Sequence, residues 1–287
     1  MDLQVKTSQA GSIAKRAMLA KQPLFLWGAP GIGKSELVQQ IAEDMGNCLV
    51  IDMRLALMEP TDLRGYPFRN PENNQMEWSP PADLPTEEQA ALYDYVVLFL
   101  DELNSAPPSV QAAAYQLVLN GRIGQYILPK NVRIIAAGNR DTDRGVTYRM
   151  PAPLANRFRH LNMTVDFGDW LTWALKNEVH QDVVGYLSYA KQDLFDFDPK
   201  TSSQAFATPR SWNVVSGMLA IDGFEEADFK EKFNNAVRFA YDNFDPEMVV
   251  LLFKTIMTDY QIRFNIRTDL DKDVYKVFSE RYTKYIV

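Results

Sequence analysis

Residues 24–38, LFLWGAPGIGKSELV, constrain the fold more than any other stretch of the sequence. A short apolar run enters a turn rich in Gly and Pro, and Lys34-Ser35 then opens a segment with helix-spaced apolar residues. Strand, glycine loop and helix are the context in which G-x-x-x-x-G-K-[ST] cradles phosphate. Gly28-Ala29-Pro30-Gly31-Ile32-Gly33-Lys34-Ser35 matches that pattern at every specified position. Phosphate oxygens need backbone N–H groups close at hand, and Gly31 and Gly33 offer them without a Cβ in the way. The helix expected to begin near Lys34 points its unpaired N–H groups and positive dipole end at the same place. Lys34 is expected to reach the β- and γ-phosphates, and the Ser35 hydroxyl to bind Mg²⁺. An unliganded Gly-Pro turn is the alternative; the complete match in the right context argues against it.

The rest of the N-terminal half fits a layered α/β fold. Apolar runs at 24–27, 49–51, 96–100 and 132–136 suit strands buried on both faces of a parallel sheet. Helix-spaced segments at 35–45 and 109–119 lie between them. The pattern predicts an α/β core over 1–168 followed by an all-helical domain over 169–287. In the second part, helices are expected at 170–179, 212–219, 228–241, 246–260 and 273–285. The polar segment 62–85, rich in Pro and Asn and carrying Tyr66, Phe68 and Trp78, reads as an inserted hairpin or structured loop. Trp78, beside Pro80-Pro81, is expected to cap the core beneath the insert. Tyr275, Phe278, Tyr282 and Tyr285 fall on one face of the last helix, a stripe better explained by packing than by a partner.

Two strand ends carry the remaining polar groups. Val96-Val-Leu-Phe-Leu-Asp101-Glu102 brings adjacent carboxylates to the rim of a sheet, where ligands of open α/β sheets bind. Asp101 would hold Mg²⁺, directly or through water, and Glu102 would activate the attacking water. Val132-Arg-Ile-Ile-Ala-Ala-Gly-Asn139 ends in an amide that could hold that water, although Gly-Asn is also an ordinary turn dipeptide.

Composition removes several classes. The chain has 287 residues, one cysteine and two histidines, too few for an internal disulfide or a zinc site. No apolar run approaches the ~20 residues of a membrane helix, and the N-terminus lacks a signal-peptide pattern. A reducing cytoplasm is the expected setting. The net charge of −7 argues against broad nucleic-acid binding, while leaving room for a local basic groove.

With these parts in order, the chain resembles the AAA+ ATPases, a P-loop NTPase family, and within them the MoxR-like branch. The most specific stretch is Leu100-Asp-Glu-Leu-Asn-Ser-Ala-Pro-Pro-Ser-Val-Gln-Ala112. Met150-Pro-Ala-Pro-Leu-Ala-Asn-Arg-Phe158 is similar to the segment that carries the arginine finger, and Ala207-Thr-Pro-Arg-Ser211 to the sensor-2 motif. The insert at Asp62-Leu-Arg-Gly65 sits where this branch places an extra hairpin. The resemblance implies ATP and Mg²⁺ as ligands, Asn139 as the sensor-1 residue and Arg210 as the lid residue that touches the γ-phosphate. It implies Arg157 as a finger reaching a neighbour's site, with Arg159 the runner-up. A finger in trans implies a homo-oligomeric ring, most often a hexamer. Arg140 departs from the branch, where Pro is common, and Arg140, Arg144, Arg149, Arg157 and Arg159 form a cluster from which the finger could come. The activity implied is remodelling or maturation of a protein partner, commonly one with a von Willebrand factor A-type domain. The alternatives are a DNA-dependent motor or loader, and a nucleotide-gated scaffold with little turnover.

Overall fold

A computed structural model describes residues 4–143, 147–197 and 206–220, and every structural count below refers to them. Two compact units divide the chain between Asp166 and Phe167.

In the first unit, β1 (Gln4–Lys6) runs into α1 (Thr7–Leu19), and β2 (Leu24–Trp27) passes through the glycine loop into α2 (Lys34–Met45). β3 (Cys48–Arg54) leads to the insert, where α3 (Pro60–Arg64) precedes a hairpin of β4 (Tyr66–Arg69) and β5 (Met76–Ser79). Next come α4 (Glu87–Ala90), β6 (Tyr95–Asp101) and α5 (Pro108–Asn120). A small ribbon of β7 (Arg122–Ile123) and β8 (Tyr126–Ile127) precedes β9 (Val132–Gly138), and α6 (Ala152–Ala155) and β10 (Arg159–Thr164) close the unit.

Six of these strands make one sheet in the order β1-β10-β2-β9-β6-β3, with every pair parallel. A parallel sheet needs cover on both faces, so its inner strands read as unbroken apolar runs. Val96 to Leu100 of β6 are at most 1% exposed. Each such side chain contributes about 1.5–3 kcal/mol through burial. The helices start and stop on local signals. Pro108 opens α5, and Gly121 closes it in the left-handed region at φ 61°.

The sequence pattern located β2, β3, β6 and β9 but not β1 or β10. β1 has three residues, and β10 buries only Leu161 and Met163 among alternating polar residues. Hydrogen bonding to β1 and β2 on its two sides supplies what its composition lacks.

The insert is a hairpin, and its root depends on Gly65. There φ is +84°, and a Cβ would lie 1.8 Å from the backbone oxygen of Ser79. Gly65→Ala is therefore expected to open the hairpin, because neither the conformation nor the neighbouring backbone accommodates a side chain. Faster hydrogen exchange in Tyr66–Arg69 and Met76–Ser79 would show it; exchange as slow as in the wild type would contradict it. Trp78 is half-buried, with the Arg64 guanidinium 5.4 Å from its ring centroid and Gly124 beneath it.

In the second unit the helix expected over 170–179 is α7 (Phe167–Lys176), shifted three residues toward the N-terminus, and α8 (Gln181–Tyr189) is a further helix that the spacing did not locate. Glu178 takes a left-handed conformation at φ 53°, and the His180 imidazole caps α8 by accepting from the Asp182 N–H at 3.3 Å. α9 (Pro209–Leu219) begins at Pro209, three residues earlier than its apolar spacing suggested. Trp212 anchors it, fully buried, donating to the Asp193 carbonyl at 2.9 Å. Tyr186 packs on that ring and donates to the Asp193 carboxylate. Burial and that carboxylate push the Tyr186 hydroxyl up to about 12. The helices expected at 228–241, 246–260 and 273–285, with their aromatic stripe, lie outside the described residues.

Candidate active site

β2 ends at Trp27 and delivers Gly28 to the edge of the sheet, where its N–H donates to the Gly138 carbonyl at 3.2 Å. Buried Ala29 and Ile32 hold the loop to the body. Gly31 and Gly33 both have positive φ, at 76° and 91°. At Gly33 a Cβ would meet nothing closer than 4.0 Å, so conformation rather than space requires glycine there. α2 starts directly after it, and no capping side chain stands between its first turn and the glycine loop.

Lys34 Nζ donates to the Gly28 carbonyl at 2.7 Å, the Ala29 carbonyl at 3.0 Å and Asn139 Oδ1 at 3.0 Å. Its ammonium thus bridges the glycine loop and the tip of β9. Ser35 Oγ donates to Asp101 Oδ2 at 3.3 Å, linking the start of α2 to the end of β6. The other Asp101 oxygen accepts from the Glu102 N–H at 2.9 Å. Glu102 is held at φ 55° and ψ 31°, left-handed geometry that costs a residue with a side chain about 1–3 kcal/mol. The turn Leu103–Ser105 pins it, since the Glu102 carbonyl accepts from Ser105 and Ala106 at 2.9 and 3.1 Å. Backbone strain at a half-buried carboxylate beside a phosphate-type loop is a mark of a functional position.

The sequence reading missed Asp52, whose neighbour Arg54 is in register with Asp101. Partial desolvation raises the Asp52 carboxyl from its ordinary value, and the charges of Asp101 and Glu102 add to this against the opposing pull of Arg54. The folded chain therefore holds the Asp52 proton more tightly than the unfolded chain, and stability falls as pH rises through the raised value. Asp52→Asn is expected to melt higher than the wild type at pH 7, with the gap closing as pH is lowered toward about 4. Equal melting temperatures at both pH values would contradict this.

The arginine cluster separates into different environments. Arg140 Nη2 donates to the Met163 carbonyl at 2.7 Å, and its backbone N–H donates to Asp143 Oδ2 at 2.9 Å. Arg140 is thus engaged within its own unit. Arg149, Arg157 and Arg159 are exposed, and Arg144 lies outside the described residues. The Arg157 guanidinium makes no hydrogen bond or ion pair among the described residues. It is carried on a rigid base: buried Phe158 meets Phe25 edge-on at 5.4 Å. His160 accepts from Trp27 Nε1 at 2.8 Å through Nδ1 and donates from Nε2 to the Ala155 carbonyl at 2.7 Å. Arg210 is exposed in the first turn of α9, in the second unit, behind the capping hydroxyl of Thr208.

Of the sequence-derived positions, the structure brings together Gly28, Ala29, Lys34, Ser35, Asp101 and Asn139 by direct bonds, with Glu102 adjacent. Residues 23–158 match the AAA domain family of the dynein-related subfamily. The matched stretch is a little under half of the chain, and its fold is that of an AAA-type P-loop NTPase, built on the parallel sheet described above. Beyond that match, the chain is similar to midasin of Giardia intestinalis, 30% identical over 200 residues. That match covers 65% of this chain and 4% of midasin, so the chain spans a small part of that relative's length. Among solved structures, a RuvB variant of Thermotoga maritima aligns with TM-score 0.46 and 16% identity over 96% of this chain and 76% of its own. NtrX of Brucella abortus aligns with TM-score 0.45 and 15% identity over 75% of this chain and 49% of its own. Among the described residues, no helix is long and apolar enough to cross a membrane.

Proposed function

We propose that the AAA domain hydrolyses ATP, that the chain works as a homo-oligomeric ring of MoxR-like type, and that turnover remodels a protein partner. The observation that carries the reading is the convergence of Lys34 on Asn139 and of Ser35 on Asp101 around one glycine loop. The donor set fits a triphosphate: backbone N–H groups at the start of α2, an ammonium, and a hydroxyl paired with a carboxylate. Ser35 and Asp101 would hold Mg²⁺, which supplies charge neutralisation at the β- and γ-phosphates.

In this reading the residues from Gly28 to Gly33, with Pro30 shaping the turn, wrap the phosphates. Lys34 moves its ammonium from the loop carbonyls to phosphate oxygens. Glu102 orients the attacking water and takes its proton, and Asn139 holds that water from the opposite strand tip. Arg210 senses the γ-phosphate from the helical lid. Arg157 reaches into the site of the next subunit, where a guanidinium on spread phosphoryl charge is worth about 10³–10⁵ in rate. Its exposure and lack of a partner among the described residues support that role, whereas Arg140 is already engaged within the unit.

The hairpin is the surface offered to the partner. Tyr66 and Phe68 share one face of β4 and are 63% and 45% exposed. Aromatic side chains of that kind are effective anchors for a protein surface. A partner with a von Willebrand factor A-type domain is the expectation from the MoxR-like resemblance.

The test is phosphate release by the purified full chain with Mg²⁺, alone, with DNA at low salt, and with proteins captured from the native host. Turnover that requires Mg²⁺ and responds to a captured protein supports the proposal. Acceleration many-fold by DNA, with no response to protein, overturns the remodelling role and favours a DNA-dependent motor or loader. Absence of both ATP binding and phosphate release overturns the ATPase reading itself.

A further inference from the structure

We propose that Asn104 is a positioning residue for hydrolysis: its buried amide fixes the strand tip on which Asn139 stands. The inference rests on the ATPase reading and extends it to a residue that touches neither phosphate nor water.

Asn104 follows the strand carboxylates by two residues and is 1% exposed, one of the few polar side chains buried among the described residues. Its Nδ2 donates to the Asn139 backbone carbonyl at 2.7 Å. Its Oδ1 is buried and has no hydrogen-bond partner among the described residues. A half-satisfied amide is a costly way to fill a core, and an apolar side chain of the same shape would fill it without an orphaned oxygen. Packing alone therefore does not account for an amide here; the bond to Asn139 does.

Gly138 shows how tightly the two elements interlock. A Cβ at that position would fall 2.0 Å from Asn104 Oδ1 and 3.0 Å from the Phe25 ring. The glycine before Asn139 is what lets the Asn104 amide lie against the end of β9. The Asn104 carbonyl also accepts from the Tyr148 N–H at 2.7 Å. One residue thus joins the turn that strains Glu102, the tip that presents Asn139 to Lys34, and the segment that leads toward α6 and Arg157. Loss of its donor would let the Asn139 tip shift relative to Glu102 while leaving the phosphate loop intact.

Steady-state turnover and ATP-analogue affinity of Asn104→Leu test the proposal, at protein concentrations where wild-type turnover per subunit is constant. Leu retains the heavy-atom count and branch point of Asn but donates nothing. The expected result is a fall in kcat of about tenfold or more, with analogue Kd within about threefold and an unlowered melting temperature. Gly138→Ala is expected to reproduce the kcat loss by displacing the Asn104 amide. In a cycle of Asn104→Ala, Gly138→Ala and the double variant, the two losses should not add, because the first removes the group that the second displaces. Wild-type-like kcat in Asn104→Leu, or additive losses in the double variant, overturns the inference alone. Weakening of Kd in step with kcat also overturns it, because that would make Asn104 a support of the whole fold. A wild-type chain that neither binds nor cleaves ATP overturns the functional reading, and this inference with it.

Discussion

Lys34→Ala is expected to weaken ATP binding by about 100-fold or more, equivalent to roughly 2.7 kcal/mol. The ammonium stands over the loop with three acceptors at 2.7–3.0 Å, two of them loop carbonyls and the third the Asn139 amide oxygen. These acceptors are neutral, so a polyanion competes for the ammonium with the added attraction of opposite charge. Ala removes the charge and leaves the loop's glycine geometry in place. The isolated chain should therefore fold, and Mg-ATP should no longer raise its melting temperature. A wild-type chain should show that rise, since a ligand selective for the folded state stabilises it by mass action. An undiminished thermal shift in Lys34→Ala would show that the nucleotide does not use this loop.

Glu102→Gln separates binding from chemistry. Gln has the same shape and removes a base and one negative charge beside Asp101 and Asp52. Binding groups are untouched, so ATP affinity should be kept or improved. Turnover should fall by about 10²–10⁴, the usual contribution of a positioned general base. The strain at Glu102 supports a large effect: a left-handed conformation persists in a residue with a side chain only where the surrounding turn enforces it. Equal phosphate release by both proteins would remove Glu102 from the chemistry and favour a nucleotide-gated scaffold.

Much of this was legible in the sequence because the relevant signals are local. The phosphate loop is a contiguous motif between a strand and a helix, and β6 and β9 are unbroken apolar runs ending in polar residues. Gly65 and the Pro and Asn residues after it marked the insert, which is a hairpin. What stayed hidden depends on contacts between distant segments. β10 has too few apolar residues to read as a buried strand until β1 and β2 pair with it. Arg140 could not be separated from Arg157 by spacing; only its bond to Met163, 23 residues away, does so. Asn104 sat in plain view two residues after Glu102, but that it is buried, and that Gly138 makes room for it, are facts of packing. A polar residue followed within ten positions by Val110, Gln111 and the alanines of α5 was the one available hint that this stretch lies inside. The start of α9 was displaced for a local reason that spacing overlooks, namely the Thr208 cap and Pro209 in the first turn.

The central claim is that each hydrolytic centre is assembled from two subunits, and mixing two inactive variants tests it most directly. Arg157→Ala keeps an intact phosphate loop and acid pair, whereas Glu102→Gln keeps an intact guanidinium and a dead acid. In a randomly mixed ring made from equal amounts, about a quarter of the junctions pair a working acid with a working Arg157. The account predicts that each variant alone is nearly silent and that the mixture recovers ATP turnover toward about a quarter of the wild-type rate. Full turnover by Arg157→Ala alone, or a mixture no more active than its parts, would contradict it.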